Sequence, residues 1–161
     1  YLLTPEDIDI YVNLGSAFYD KEDYDNALAV YRNALDLDPK NAKIHCNLGF
    51  LYWGKGDTDE AIREYEYAIE YDKSYSIAYN NLGVIYLDDL GRVKEAIDMF
   101  KKAVEYNPNY ALAHFNLARS IAITGEKIEA AKLYQIAQDV NKITNEIDPQ
   151  DITDKINALF D

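Results

Sequence analysis

Apolar residues recur at three- and four-residue steps along most of this chain, the spacing that places them on one face of an α-helix. Ile8, Tyr11, Leu14 and Phe18 form the first such stripe. Thr4-Pro5-Glu6-Asp7 precedes it with a capping hydroxyl, a first-turn proline and two acids suited to the positive helix end. The stripe predicts a helix from about 5 to 20. Lys21-Glu22-Asp23 is a polar turn, and Ala27, Tyr31, Ala34 and Leu35 begin a second stripe over 25–37 that Pro39 closes. The same helix pair is predicted three more times: 42–53 with 58–71, 77–87 with 93–106, and 111–124 with 127–140. After Asn141 the pattern stops. Asp148-Pro149 then starts a last helix whose apolar stripe is Ile152, Ile156, Leu159 and Phe160.

The pairs are copies of one another. Leu14, Leu48, Leu82 and Leu117 are spaced 34, 34 and 35 residues apart, and Ala27, Ala61, Ala96 and Ala130 are spaced 34, 35 and 34. Three residues before each Leu stands a ring, Tyr11, His45, Tyr79 or His114. Four residues after each Ala stands another, Tyr31, Tyr65, Phe100 or Tyr134, and three later a further alanine, Ala34, Ala68, Ala103 or Ala137. A fixed period of this size predicts an all-α solenoid. The repeats span 8–41, 42–75, 76–110 and 111–144, and 145–161 holds a helix expected to cap the last one. The third repeat carries one extra residue, expected in its Asp88-Asp89-Leu90-Gly91 turn, where length is cheap.

Composition narrows the partners. The formal charge of −13 argues against a grip on a phosphate backbone, so no nucleic acid is expected. No apolar run is long enough to cross a bilayer, so no membrane insertion is expected. Cys46 is the sole cysteine, which excludes an internal disulfide framework and suits a reducing, cytoplasmic setting. The chain opens on Tyr1 rather than Met, as an excerpt of a longer protein would.

Leu-Gly-x-x-Tyr, then Ala, an aromatic, Ala and Pro, on a 34-residue period, resembles the tetratricopeptide repeat (TPR) family over about 8–144. Departures are local: Ala118 replaces Gly, Ile121 replaces the ring, and Lys73 and Lys142 replace the closing Pro, so the fourth repeat is the least typical. The resemblance implies antiparallel helix pairs stacked as a right-handed superhelical α-solenoid. The first helix of each pair would line a concave groove that holds a peptide or partner helix, with no catalysis. Transferred to this chain, the groove positions hold an asparagine ladder of Asn13, Asn47, Asn81 and Asn116, and an apolar patch of Phe50, Trp53, Val84, Leu87 and Phe115 with Ile77 and Leu112 beside it. Lys43 and Arg119 are the basic residues on that face, and Asp9, Asp20 and Asp88 the acidic ones. A primary amide offers one acceptor and two donors, so it can pair with both groups of a peptide backbone whatever the peptide's sequence. That arrangement resembles the ladder in the repeat arm of O-linked N-acetylglucosamine transferase. The competing reading is that these asparagines stabilise their helices locally.

The expected function is therefore a scaffold or adaptor that binds a protein or peptide. The alternatives are the substrate-recruiting arm of a larger enzyme such as a glycosyltransferase, and a homo-oligomeric scaffold in which a terminal helix of one copy fills the groove of the next. The carboxylate clamp of heat-shock co-chaperones is not expected, because Val12, Ser16, Ile77 and Asn81 stand at its places and only Asn47 matches. His45 and His114 fall in a helix-packing slot, so neither is expected to bind metal. No catalytic residue, metal or cofactor is anticipated.

Overall fold

The computed structural model describes residues 4–160, and among them every regular element is helical. The elements are α1 (Pro5–Tyr19), α2 (Tyr24–Leu37), α3 (Ala42–Lys55), α4 (Thr58–Tyr71), α5 (Ser76–Val84) running into a π-helical turn (Ile85–Asp89), α6 (Val93–Tyr106), α7 (Ala111–Ile123), α8 (Lys127–Thr144) and α9 (Pro149–Asn157). The starts are set by short polar side chains that accept from orphan backbone N–H groups. Asp7 N–H donates to Thr4 Oγ1 (3.3 Å) while Thr4 N–H donates to Asp7 Oδ2 (3.0 Å), a reciprocal capping box. Asn41 Oδ1 caps α3 at Ile44 N–H (3.1 Å) and Asp148 Oδ1 caps α9 at Gln150 N–H (2.9 Å).

Two compact units make up the chain, Tyr1–Ala78 and Tyr79–Asp161. In the first, Ile8, Ala27, Tyr31, Ala34, Ile44, Leu48 and Leu51 form the core. In the second, Leu87, Ala96, Ile97, Phe100, Leu117, Ala118, Ile121, Ala130 and Tyr134 do so, and Ile152 and Leu159 of α9 join them. The repeating small residues are the reason paired helices approach closely. All eight alanines of the two alanine slots are fully buried. A Cβ at Gly49 would meet the Tyr65 ring at 2.8 Å, and one at Gly83 the Phe100 ring at 2.7 Å, so in the first three repeats this glycine is the seat of the paired helix's aromatic.

The extra residue of the third repeat lies partly inside the helix rather than wholly in the turn. In the first two repeats the turn closes when Asp23 N–H donates to Phe18 O and Asp57 N–H to Tyr52 O, both at 2.9 Å. In the third, Arg92 N–H reaches Tyr86 O, one residue further along, and Leu90 N–H donates to Ile85 O (3.1 Å) in a π-type bond. A π turn holds one more residue per turn, so the insertion widens the end of α5 before Gly91 bends the chain at φ +64°.

α9 packs on α8, as the apolar stripe predicts. Ile152 and Leu159 are buried and Ile156 is half-buried, but Phe160, expected in the same stripe, faces solvent. α8 runs four residues beyond its predicted end to Thr144. Asn141 then ties it to the connection with α9: its Oδ1 accepts from Glu146 N–H (2.7 Å) and Ile147 N–H (2.9 Å), and its Nδ2 donates to Ile147 O (2.6 Å).

Candidate functional site

The face expected to bind differs between the two units. In the N-terminal unit, α1 and α3 flank a cavity of about 180 Å³ lined by Ser16, Tyr19, Asp20, Tyr31, Asn47, Phe50 and Leu51. The rings of Tyr19 and Phe50 lie 5.0 Å apart, and Trp53 meets Phe50 edge-on at 6.3 Å. Phe50 is exposed, and Trp53 and Asn47 are half-buried. Asn47 Nδ2 donates to Lys43 O (2.7 Å), one turn back. This satisfies one of its two N–H groups and leaves Oδ1 and the second N–H for other partners. Asn13 is exposed. Lys43 is ion-paired with Asp9, the residue at the equivalent position of the first repeat. Burial raises the phenol pKa of Tyr19, with Tyr24 and Asp20 adding to the effect, and burial also raises that of Tyr31, so both enter neutral solution as hydrogen-bonding phenols.

In the C-terminal unit the same positions are largely occupied from within. Asn116 was expected on the open face, and the structure buries it to 3 % exposure. Its Nδ2 donates to Asn80 Oδ1 (3.0 Å), Asn80 Nδ2 donates to Asn81 Oδ1 (3.2 Å), and Arg119 Nη1 donates to Asn116 Oδ1 (3.3 Å). Arg119 Nη2 continues the chain to Asp88 Oδ1 (2.9 Å). Asn80, two residues before the repeat's leucine, is itself buried. Leu87 is also buried, in the core with Ala96 and Phe100, rather than facing a ligand. Val84 and Phe115 are half-buried against that core, and Phe115 lies edge-on to Tyr134 at 5.4 Å.

A second cavity, of about 300 Å³, is lined by Arg119, Ala122, Ile123, Tyr134, Lys155, Ala158 and Leu159. Its lining repeats that of the N-terminal cavity slot for slot. Arg119, Ala122 and Ile123 stand where Ser16, Tyr19 and Asp20 stand in the first repeat, and Tyr134 where Tyr31 stands. Lys155, Ala158 and Leu159 have the spacing of Asn47, Phe50 and Leu51. α9 therefore does for the fourth repeat what α3 does for the first: it supplies the next first-helix surface.

Burial pushes the Cys46 thiol up to about 12, which keeps it protonated and unreactive. Among the described residues no group of three His, Cys, Asp or Glu side chains is arranged to hold a metal ion, and no helix is long and apolar enough to cross a membrane. His45 and His114 are both buried in helix packing. The sequence does not announce the buried roles of Asn80 and Asn141. Each is a polar residue at a position that turns inward, and no periodicity announces which partner will satisfy it.

Comparison with known proteins agrees with this architecture. A family model described as TPR repeat matches residues 15–56, and one described as tetratricopeptide repeat matches 46–105 and 87–152. No curated protein matches the chain. Among solved structures, the crystal structure of MamA superposes with a TM-score of 0.72 at 22% identity, covering 89% of this chain and 83% of that one. The TPR2B domain of yeast Sti1, solved in complex with pHsp70, superposes with a TM-score of 0.68 at 22% identity, covering 73% of this chain and 94% of that one. The period, the small-residue slots, the helix pairs and the family match coincide, and the chain belongs to the tetratricopeptide repeat family.

Proposed function

We propose that this protein is an interaction module that holds a peptide or helix of a partner protein on its first-helix face, with the cleft between α1 and α3 as the anchoring site. The observation that carries this reading is the 180 Å³ cleft itself, in which polar Ser16 and Asn47 stand beside the rings of Tyr19 and Phe50. A pocket with apolar walls and a few placed polar groups suits a peptide: a side chain enters between the rings while an amide pairs with the backbone. Asn47 keeps a donor and an acceptor for that purpose, and Asn13 and Lys43 of the same unit extend the polar track. Trp53 and Phe50 supply the large contact area typical of binding hot spots. The neighbour from yeast, solved in complex with pHsp70, supports the general class of partner and not its identity.

Random dodecapeptides displayed on phage and selected against the full chain test the reading. Selected peptides should shift the emission of Trp53, the only tryptophan, to the blue. Phe50→Ala and Trp53→Ala should each weaken them by more than about 1 kcal/mol, roughly fivefold or more, with circular dichroism unchanged. Selected peptides that bind both variants as tightly as the parent would move the site elsewhere. A mass that rises with concentration in light scattering, lost in Phe50→Ala, would instead make a second copy the occupant.

A further inference from the structure

We propose that His45 is a proton-dependent clasp: as an imidazolium it ties α3 to α4 and to the turn after α2, and on losing its proton it loosens the second repeat. The geometry requires a doubly protonated ring. Nδ1 lies 2.7 Å from Glu64 Oε2 and Nε2 lies 3.1 Å from Pro39 O. A backbone carbonyl and a carboxylate both accept, so both ring nitrogens must donate, and only the imidazolium has two N–H groups. A neutral ring would leave one of the two contacts as acceptor facing acceptor. The groups set against the ring come from both neighbouring segments: Asp38 and Pro39 between α2 and α3, and Glu64, Tyr67 and Tyr71 on α4. The Tyr67 and Tyr71 rings lie 5.4 and 5.3 Å from the imidazole, within reach of a cation–π attraction.

The fourth repeat supplies an internal contrast. His114 occupies the slot of His45, and its Nε2 lies 3.0 Å from Pro108 O, the equivalent carbonyl. Its Nδ1 is buried without a hydrogen-bond partner. The slots that hold Asp38, Glu64, Tyr67 and Tyr71 around His45 hold Asn107, Leu133, Ile136 and Val140 around His114. Each acidic or aromatic neighbour of His45 is thus replaced by a neutral or aliphatic one. The repeat pattern explains a ring in this slot; it does not explain why one copy alone is surrounded by groups that favour a cation.

The titration of His45 follows from these neighbours. Burial by itself lowers the imidazole pKa, but the hydrogen bonds to Glu64 and to the Pro39 carbonyl, with the charges of Glu64 and Asp38, outweigh it and the net displacement is upward. A pKa raised in the folded state stabilises the fold fully below the unfolded value of about 6.5, and that contribution disappears as pH rises through the folded value. The second repeat is therefore tightest below the ordinary histidine value and loosens as pH rises through the folded one.

Histidine-labelled full chain, followed by long-range proton–nitrogen correlation from pH 5 to 9, tests this directly, with His114→Gln used to assign the two rings. At pH 6 both His45 nitrogens should show the shifts of a protonated imidazole. The midpoint should lie above the ordinary histidine value and move downward in Glu64→Gln. The melting temperature should fall as pH rises from 6 through the folded midpoint, and fall less in Glu64→Gln. A His45 ring still neutral at pH 6, or a midpoint that Glu64→Gln leaves in place, would overturn the clasp; the first of these is readable on the unsubstituted chain.

Discussion

The amide slot of the repeat does different work in the two units. In the N-terminal unit Asn13 is exposed, and Asn47 makes one bond to its own helix and keeps hydrogen-bonding capacity to spare. In the C-terminal unit Asn116 is buried in a chain of side chains from Asn81 through Asn80 to Arg119 and Asp88. The difference arises one residue earlier in the sequence. Cys46 precedes Asn47 and Val12 precedes Asn13, and neither can present an amide to its neighbours. Asn80 precedes Asn81, and its buried amide needs partners, which recruits Asn116. A recurring residue thus marks a recurring backbone position, while its role depends on what the adjacent slot demands.

The closing helix is the largest difference to break. Ile152 is fully buried in the core of the C-terminal unit. Ile152→Ala should destabilise that unit by about 2–5 kcal/mol. Ile143→Ala, at a largely exposed position on α8, should stay within about 0.5 kcal/mol. Equal losses in denaturant unfolding would show that α9 does not seal the unit.

The amide chain comes next. Asn116→Ala leaves the buried Asn80 Oδ1 without its donor and should cost about 1–3 kcal/mol, whereas Asn13→Ala should cost almost nothing. Comparable effects from the two would erase the contrast between the units.

The smallest effect concerns the turns. Glu22 sits at φ 58°, in the position that glycine takes in the other three repeats (Gly56, Gly91 and Gly125). A non-glycine residue there costs about 1–2 kcal/mol, and glycine loses more chain entropy on folding, about 0.5–1 kcal/mol. Glu22→Gly should therefore raise the stability of the N-terminal unit by up to about 1 kcal/mol. A loss would mean that the Glu22 side chain contributes more than its backbone costs.

The fold was legible because the residues that determine it are repeated. Each alanine slot meets an aromatic slot, each closing Pro or polar cap ends a helix, and four copies average out local exceptions. The π turn was not legible, since an insertion can be absorbed by loop or helix and only the bonds of Leu90 and Arg92 decide between them. The family resemblance put Asn47 and Phe50 on one face, and a cleft gathers the two with Ser16 and Tyr19. It also put Leu87 on that face, where the wider π turn carries Leu87 into the core. Leu14 shows the reverse: its slot is buried in the later repeats, but in the first no described element covers it and it is 45% exposed. Glu64 pairs with His45 across nineteen residues, a distance that carries no signal until both helices are in place.

On the proposed function, the N-terminal copy of the amide slot binds and the C-terminal copy builds. Measuring both affinity and stability for Asn47→Ala and Asn116→Ala, with a peptide selected on the unsubstituted chain and read through Trp53 emission, tests it most directly. The account predicts that Asn47→Ala weakens the peptide by about 0.5–1.5 kcal/mol, roughly two- to tenfold, with little change in unfolding. It predicts that Asn116→Ala lowers stability and leaves the affinity of the folded protein unchanged. Loss of affinity in Asn116→Ala with stability intact, and unchanged binding in Asn47→Ala, would contradict it.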